Sequence, residues 1–383
     1  MDALVKPMLK RQGIDPQPWR QARRILAVRL DNQGNVLLTT PALRALRQAL
    51  LGRRITLLSM GSGATAAAHV PEVDAVISIP CPWMASTGNT PPTPQELNDT
   101  VEQLRAGRFD GAVIFTSHTQ SPLPAAMLCW QAGIPLRLAH CHENPHRLLS
   151  DWIEDPEPQE ILRHEVRRQL DLVAAIGARA TDEHLSFCVH ADDMSHAMTY
   201  LRAHGIDPTR PWIVVHPGAS AESQRYPPDA FAEALRVLMG ARLAADPWND
   251  WQVVLTGSET EATLCNALST RLAAPAASLA GRLSLGELAA VIAPAALLIA
   301  NNTGPVHLAA ALGTPVVDIY ALTNPQHVPW MVPHLTLYHD EPSPPNPHRV
   351  AEAARQLLEM GTDLAGPGDE PLSHSAVMTG GKP

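Results

Sequence analysis

ALLIANNTGPVHLAAALGTPVVDIY, residues 296–320, reads as strand, loop, helix and second strand in that order. The apolar runs ALLIAN and PVVDIY have the continuous hydrophobicity of strands covered on both faces. Between them Thr303 is an N-cap type, Pro305 suits a first helical turn, and Gly313 suits the helix end. A strand, a crossover helix and a second strand make a βαβ unit, which needs a parallel sheet. The alternation continues outward from this unit. WIVVH (212–216) and WQVVLT (251–256) precede it, and the first half carries ILAVRL (25–30), ITLLSM (55–60), AVISI (75–79), GAVIFT (111–116) and PLRLA (135–139). The spacing predicts a doubly wound α/β protein. At 383 residues the chain exceeds what one core supports, so two domains are expected.

The segment ADDMSHAMTYLRAHGIDPTRP reads as a helix closed by Gly205 and followed by a proline-bounded linker, which places the boundary near residues 205–211. The expected organisation is an extension (1–24), one domain (25–205), a second (206–345), a final amphipathic helix (346–360) and a Gly/Pro/Ser-rich disordered tail (361–383). PCPWMASTGNTPPTP, residues 80–94, reads as an exposed loop.

Composition narrows the function. Hydrophobic residues make up 45% and charged residues 17%, as in a folded enzyme. Aromatics at 4% and a net charge of −9 without a basic stripe argue against nucleic acid as partner. No signal peptide and no run of about 18 apolar residues is present, so a cytoplasmic location is expected. The basic cluster from Lys6 to Arg24 reads as a solvated extension, with peripheral contact to an anionic membrane face as the alternative. Five scattered cysteines without a CxxC pair read as reduced and packed. HCHENPH, with His140, Cys141, His142 and His146, is the one cluster of metal-ligand type; structural zinc normally draws on separated pairs, so a polar loop beside a binding cleft is favoured and no metal is assigned.

In a doubly wound protein the chemistry sits in the loops after the strands. A helix starting at Thr303 and Gly304, with Asn302 before it and His307 one turn in, offers backbone N–H groups and a partial positive charge to a diphosphate. His216, Pro217 and Gly218 form a tight turn after another strand, and Arg225 can grip a phosphate with its guanidinium fork. In LTGSETEATL, Gly257 precedes Glu259 and Glu261, either of which could hold ribose hydroxyls or cap a helix. GSGATAAA (61–68) lacks the third glycine of GxGxxG and reads as a turn and helix start. In the first half, DNQGNVLLTTPALRAL (31–46) opens a helix after a strand, and TSHTQS (116–121) offers Ser117, His118 and Gln120 for an acceptor.

Taken together, RLDNQGNVLLTTPALRALR, HPGASAESQRYPPDAF and NNTGPVHLAAALGTPVV resemble three motifs of glycosyltransferase family 9, the ADP-heptose:lipopolysaccharide heptosyltransferases, over about residues 25–360. The resemblance implies a GT-B fold, two Rossmann-like domains facing a central cleft. It implies an inverting transferase that moves a heptose or related sugar from a nucleotide diphosphate, ADP-heptose above all, to a lipopolysaccharide core or similar glycan, with no cofactor required. It places diphosphate contacts on Arg225, Thr303, Gly304 and His307, an adenine-side contact near Leu283, and the ribose glutamate on Glu259 first, with Glu261 as the alternative. The family shows Gly-Asp in its opening, the aspartate being the proposed base, where this chain has Gly34-Asn35; it shows Asn-Asp where this chain has Asn301-Asn302. An amide takes up no proton, so Asp31, beside Asn32 at the strand tip, is the nearest candidate base. Its alternative role is to bond the loop amides of residues 32–34. A paralogue that binds the nucleotide sugar without turnover is the competing reading, and an epimerase on the same fold is a third.

Overall fold

The structure, a computed structural model, describes residues 14–84, 92–219, 225–240, 251–272, 276–320, 325–339 and 344–364. Residues 1–13 of the extension, 85–91 of the Pro/Thr-rich loop and the tail beyond residue 364 lie outside the described residues.

In the first unit, β1 (Arg24–Val28), β2 (Arg54–Ser59), β3 (Ala75–Ser78), β4 (Gly111–Ile114), β5 (Leu136–Cys141) and β6 (Asp151–Glu154) form one parallel sheet in the order β3-β2-β1-β4-β5-β6. Its helices are α1 (Gln17–Gln21), α2 (Gln33–Gln48), α3 (Gly61–Ala67), α4 (Pro94–Gly107), α5 (Leu123–Gln131) and α6 (Glu165–Ala174). The second unit has helices α7 (Ala191–Ala203), α8 (Pro228–Met239), α9 (Ala262–Ser269), α10 (Leu285–Ile292), α11 (Gly304–Leu312) and α12 (Pro347–Leu364). Its strands β7 (Trp212–His216), β8 (Gln252–Leu255), β9 (Ala276–Ser278), β10 (Leu297–Asn301), β11 (Val316–Tyr320) and β12 (His334–Tyr338) pair in parallel in the order β12-β11-β10-β7-β8-β9.

Counted from its own first strand, each sheet has the doubly wound order 3-2-1-4-5-6. The winding reverses between β1 and β4 and again between β7 and β10. Loops that leave those strands diverge to opposite faces and open a crevice at the carboxyl edge, where ligands bind in such sheets. The central strands came through as apolar runs, whereas β6, β9 and β12 were not expected. All three are edge or near-edge strands: DWIE is half polar, AAS is small, and HLTLY is half-buried.

Three expected boundaries move. The units divide between Ser186 and Phe187, ahead of the linker expected at residues 205–211, because α7 packs on α10 within the second unit. Their contact is close: a Cβ on Gly286 would overlap the Asp193 carboxylate. Residues 14–24 are part of the first unit rather than an extension. Trp19 is 1% exposed, donates from Nε1 to Asp151 at 3.0 Å, and its carbonyl accepts from Arg53. The final helix runs to Leu364 and is a core element, its Val350, Ala354 and Leu357 packed in the cluster that holds Phe231 and Leu235 of α8.

Candidate functional site

At the β1/β4 switch point, β1 ends and the chain continues through Arg29, Leu30 and Asp31 into α2. Asn32 is the N-cap, its Oδ1 accepting from the Asn35 amide at 3.1 Å. Asn32 thus caps the first turn of α2 through the Asn35 amide, and the contacts of the Asp31 carboxylate are not with the amides of residues 32–34. Asp31 is engaged elsewhere. Arg29 Nη2 lies 2.8 Å from Asp31 Oδ2, and Gln120 Nε2 donates to Asp31 Oδ1 at 2.5 Å. Gln120 in turn accepts from the Ser117 amide at 3.2 Å, so the TSHTQS loop closes onto Asp31. Gly63 of α3 makes room, since a Cβ there would overlap the Asp31 carbonyl. Asp31, Thr116, Gln120 and Ser121 supply the polar lining of a small hollow, walled by Trp83 and Met84. His118 stands beside it, half-buried, its carbonyl accepting from His142 Nε2 at 2.8 Å. Gly34 is buried, and Asn35 is half-exposed in the first turn of α2.

The HCHENPH cluster is not one loop. His140 and Cys141 are the last residues of β5, both buried, with His140 Nε2 3.2 Å from the Arg168 carbonyl. Burial, reinforced by the Arg168 and Arg163 charges, holds the His140 imidazole well below its ordinary range, so it stays neutral. Among the described residues no group of three or more His, Cys, Asp or Glu gathers as a metal site. Burial pushes the Cys81, Cys129 and Cys265 thiols up to about 12, which removes them as nucleophiles.

At the β7/β10 switch point Asn301 is the clamp. Its Nδ2 donates to the Pro217 and Gly218 carbonyls at 2.8 and 3.1 Å, and its Oδ1 accepts from the Tyr226 amide at 2.9 Å. The HPG turn and Arg225 are thereby tied to the end of β10. A Cβ on Gly218 would overlap the Glu261 carboxylate, so only glycine passes there. Glu261 is buried, accepts from the Ser258 amide and hydroxyl at 2.8 and 2.9 Å, and lies 3.9 Å from Arg225 Nη2. Glu259, the carboxylate favoured for ribose, is exposed; the structure instead brings Glu261 to His216, Gly218 and Arg225. Both acids sit on one tight turn that follows Gly257, and only one can face inward. The Ser-x-x-Glu capping pattern was the signal for Glu261. His216 Nδ1 is 3.1 Å from Thr256 Oγ1; burial drives its imidazole down to about 4 against the pull of Glu261.

Thr303 stands at the N-cap of α11 but does not cap it. Its hydroxyl donates back to the Asn301 carbonyl at 3.1 Å, so Thr303 makes no capping hydrogen bond to the helix start at Gly304 and Pro305. His307, one turn in, is buried, its ring edge-on to His327 with centroids 6.2 Å apart. Asn302 donates from Nδ2 to Asp318 Oδ2 at 2.9 Å and to the His327 carbonyl at 3.1 Å, which leaves its Oδ1 to meet a hydroxyl. Sequence reasoning passed over Asp318, although a lone acid inside an apolar strand was visible. Burial pushes its carboxyl well above the usual range, and the Asn302 hydrogen bond only partly opposes this. Leu283 is half-buried next to Ser284, the N-cap of α10.

Residues 99–356 match the family Glycosyltransferase family 9 (heptosyltransferase). The chain is 28% identical over 239 residues to lipopolysaccharide heptosyltransferase 2 of Escherichia coli K12, an alignment covering 59% of this chain and 64% of that protein's length. Its fold is similar to the family 9 glycosyltransferase structure from Veillonella parvula (TM-score 0.74, 20% identity, 88% of this chain and 97% of the other). It is also similar to that of E. coli ADP-heptose LPS heptosyltransferase II (TM-score 0.68, 22% identity, 88% and 99%). The two doubly wound units and their loops are thus those of a GT-B glycosyltransferase. The chain belongs to glycosyltransferase family 9.

Proposed function

We propose that the chain is an inverting glycosyltransferase that moves a heptose or related sugar from a nucleotide diphosphate donor, ADP-heptose in the first instance, to a lipopolysaccharide core or similar glycan. The observation that carries the donor half is Arg225. Its Nε is buried without a hydrogen-bond partner among the described residues, and the next residue, Tyr226, is tied through its amide to Asn301 at the end of β10, the strand that leads into the start of α11. A diphosphate satisfies both that Nε and the helix start, and Glu261 and Asn302 Oδ1 accept from sugar hydroxyls. The acceptor half rests on the hollow at Asp31, where Trp83 offers a ring face to a sugar and Asp31 and Gln120 offer polar contacts. In the reaction an acceptor oxygen forms its bond to the anomeric carbon as the bond to the diphosphate breaks. The nucleotide diphosphate leaves with the electron pair, stabilised by Arg225 and the helix start, and Asp31 takes the acceptor proton.

On this reading no cofactor is required, and the acceptor is lipid-linked at the inner face of the cytoplasmic membrane, which the protein visits peripherally. No helix among the described residues is long and apolar enough to cross a membrane. One observation favours the competing reading, donor binding without turnover: Arg29 and Gln120 already engage both oxygens of Asp31. A transfer assay with ADP-heptose and other nucleotide sugars against lipopolysaccharide core acceptors decides. Measurable transfer by the wild type is expected; ADP binding without transfer to any acceptor establishes the binding protein instead.

A further inference from the structure

We propose that Glu165 and Gln169 of α6 are positioning residues that lock the Asp31 loop and the Thr116–Gln120 loop into one preformed surface. The two residues are four apart on one helical face, and both are fully buried. From Asp31 the contacts form a closed ring. Arg29 bridges Asp31 and Glu165, with Nη2 and Nη1 each 2.8 Å from a carboxylate oxygen. Gln169 Nε2 donates to the same Glu165 oxygen at 2.7 Å and to the Thr116 carbonyl at 3.0 Å. The Ser117 amide that follows donates to Gln120, and Gln120 donates back to Asp31 at 2.5 Å. Arg168 adds a second donor to the Thr116 carbonyl at 2.9 Å, so the peptide that launches the TSHTQS loop is held from both lone pairs.

A device of this kind is poorly explained as packing. Burying one guanidinium between two carboxylates carries a desolvation penalty that the ion pairs must first repay, and apolar side chains of the same volume would join α6 to the sheet at least as well. What apolar residues could not do is fix the direction of a carboxylate and of a carbonyl on two separate loops. The ring ends on those two groups, and the residues that carry them, Asp31 and Thr116, both line the hollow. The charged groups around it are Glu165 and Arg168 on α6, Asp155 and Glu157 on the segment before it, and His140 on β5. Arg168 pairs with Asp155 and Glu157 at 2.6 and 2.5 Å, so that second cluster is satisfied on its own and leaves Arg29 to Asp31 and Glu165.

The inference rests on the acceptor-side reading of Asp31 for its kinetic consequence, but not for its structural one, and the experiment separates the two. Gln169→Leu and Glu165→Gln are made in the full chain, and amide hydrogen exchange is followed in peptides covering residues 29–36, 116–121, 212–219 and 298–307. Exchange about tenfold faster in the first two segments, with the last two unchanged and ADP affinity within about twofold of wild type, is expected for a local lock. Unchanged exchange at 29–36 and 116–121, or equal acceleration in all four segments, overturns it. Gln169→Met, which keeps length and volume, replaces the leucine variant should that one not fold. The second arm is a double-mutant cycle on turnover. Glu165→Gln is expected to lower kcat about tenfold in the wild type and to have no further effect in the Asp31→Asn background, because it acts through Asp31. Additive losses overturn the assignment of Glu165. If Asp31→Asn leaves turnover intact, the base reading under the proposed function falls, and the exchange result alone then judges the lock.

Discussion

At the β1/β4 switch point Asp31 shares Arg29 with Glu165 and takes a further hydrogen bond from Gln120. At the β7/β10 switch point Arg225, like Arg29, keeps a buried Nε without a hydrogen-bond partner among the described residues, but its carboxylate neighbour Glu261 is 3.9 Å away rather than 2.8 Å, and Thr303 turns its hydroxyl away from the helix it begins. One guanidinium is held close between two carboxylates, and the other is only loosely paired. The two chemistries they serve differ in the same sense. Leaving-group stabilisation calls for donors that meet charge only when substrate is bound, whereas a base must sit at a fixed distance from one hydroxyl. The same sheet order thus carries a pre-wired loop in one unit and an unfilled one in the other.

The largest expected effect breaks the first loop. Asp31→Ala lowers kcat by about 10²–10⁴-fold, the usual loss for a general base, while Arg29 keeps Glu165 and the unit stays folded. Donor KM is expected to stay near the wild-type value, because Asp31 lies in the other unit. A proportional rise in KM with kcat intact would instead make Asp31 a binding residue.

Next comes the unfilled loop. Arg225→Ala weakens ADP binding by about 1.5–3 kcal/mol, read by calorimetry. Unchanged affinity removes Arg225 from the donor site. Since Arg225 contacts Glu261 only at 3.9 Å, little stability should go with it.

These two loops also differ in how far they could be read from sequence. The strand–loop–helix grammar around Thr303 and Gly313, and that of DNQGNVLLTTPALRAL, is local, and the structure has both helices there, although Thr303 makes no cap and the cap at Asn32 was not read. The ring through Asp31 is not local: Arg29 and Glu165 are joined only by the folding of α6 against the sheet, and no spacing rule relates them. Arg29 was nonetheless an anomaly, a charge in the last turnless residues of an apolar run. The difference in setting between Glu259 and Glu261 was not legible for a finer reason. Both are on one 3₁₀ turn, and the capping bond to Ser258 decides which side chain turns inward. The outer strands stayed hidden because half-exposed strands carry little apolar pattern.

A smaller effect separates the buried titratable groups of the second unit. The unfolded chain protonates His216 as pH falls through about 6.5, while the folded protein withholds that proton until about 4; the folded state therefore loses stability across that window. Asp318 has the opposite slope. Its carboxyl keeps a proton in the folded state above 3.8, where the unfolded chain releases one, so stability is lost as pH rises. Asp318→Asn removes that loss and keeps an acceptor for Asn302. Its stability advantage over wild type is expected to grow as pH rises above about 3.8, at a slope of at most about 1.4 kcal/mol per pH unit, in urea titrations at pH 4.5, 5.5 and 6.5. A constant difference would mean that Asp318 ionises in place.

The smallest expected effect concerns Asn35, the residue that raised the question of catalysis. It lies in the first turn of α2, where its amide is already capped by Asn32 and where a negative charge interacts favourably with the helix start. Asn35→Asp should stabilise the protein by about 0.3–1 kcal/mol on that ground alone. Its effect on turnover sharpens the comparison between the loops. If Asp31 takes the proton, a second carboxylate at position 35 leaves kcat within a few-fold of wild type, and Asp31→Ala stays slow in either background. A rise in kcat of about 10²-fold or more in Asn35→Asp, with Asp31→Ala then tolerated, would show that the reacting hydroxyl sits over the start of α2. The Asp31 ring would in that case hold the loop rather than perform the chemistry.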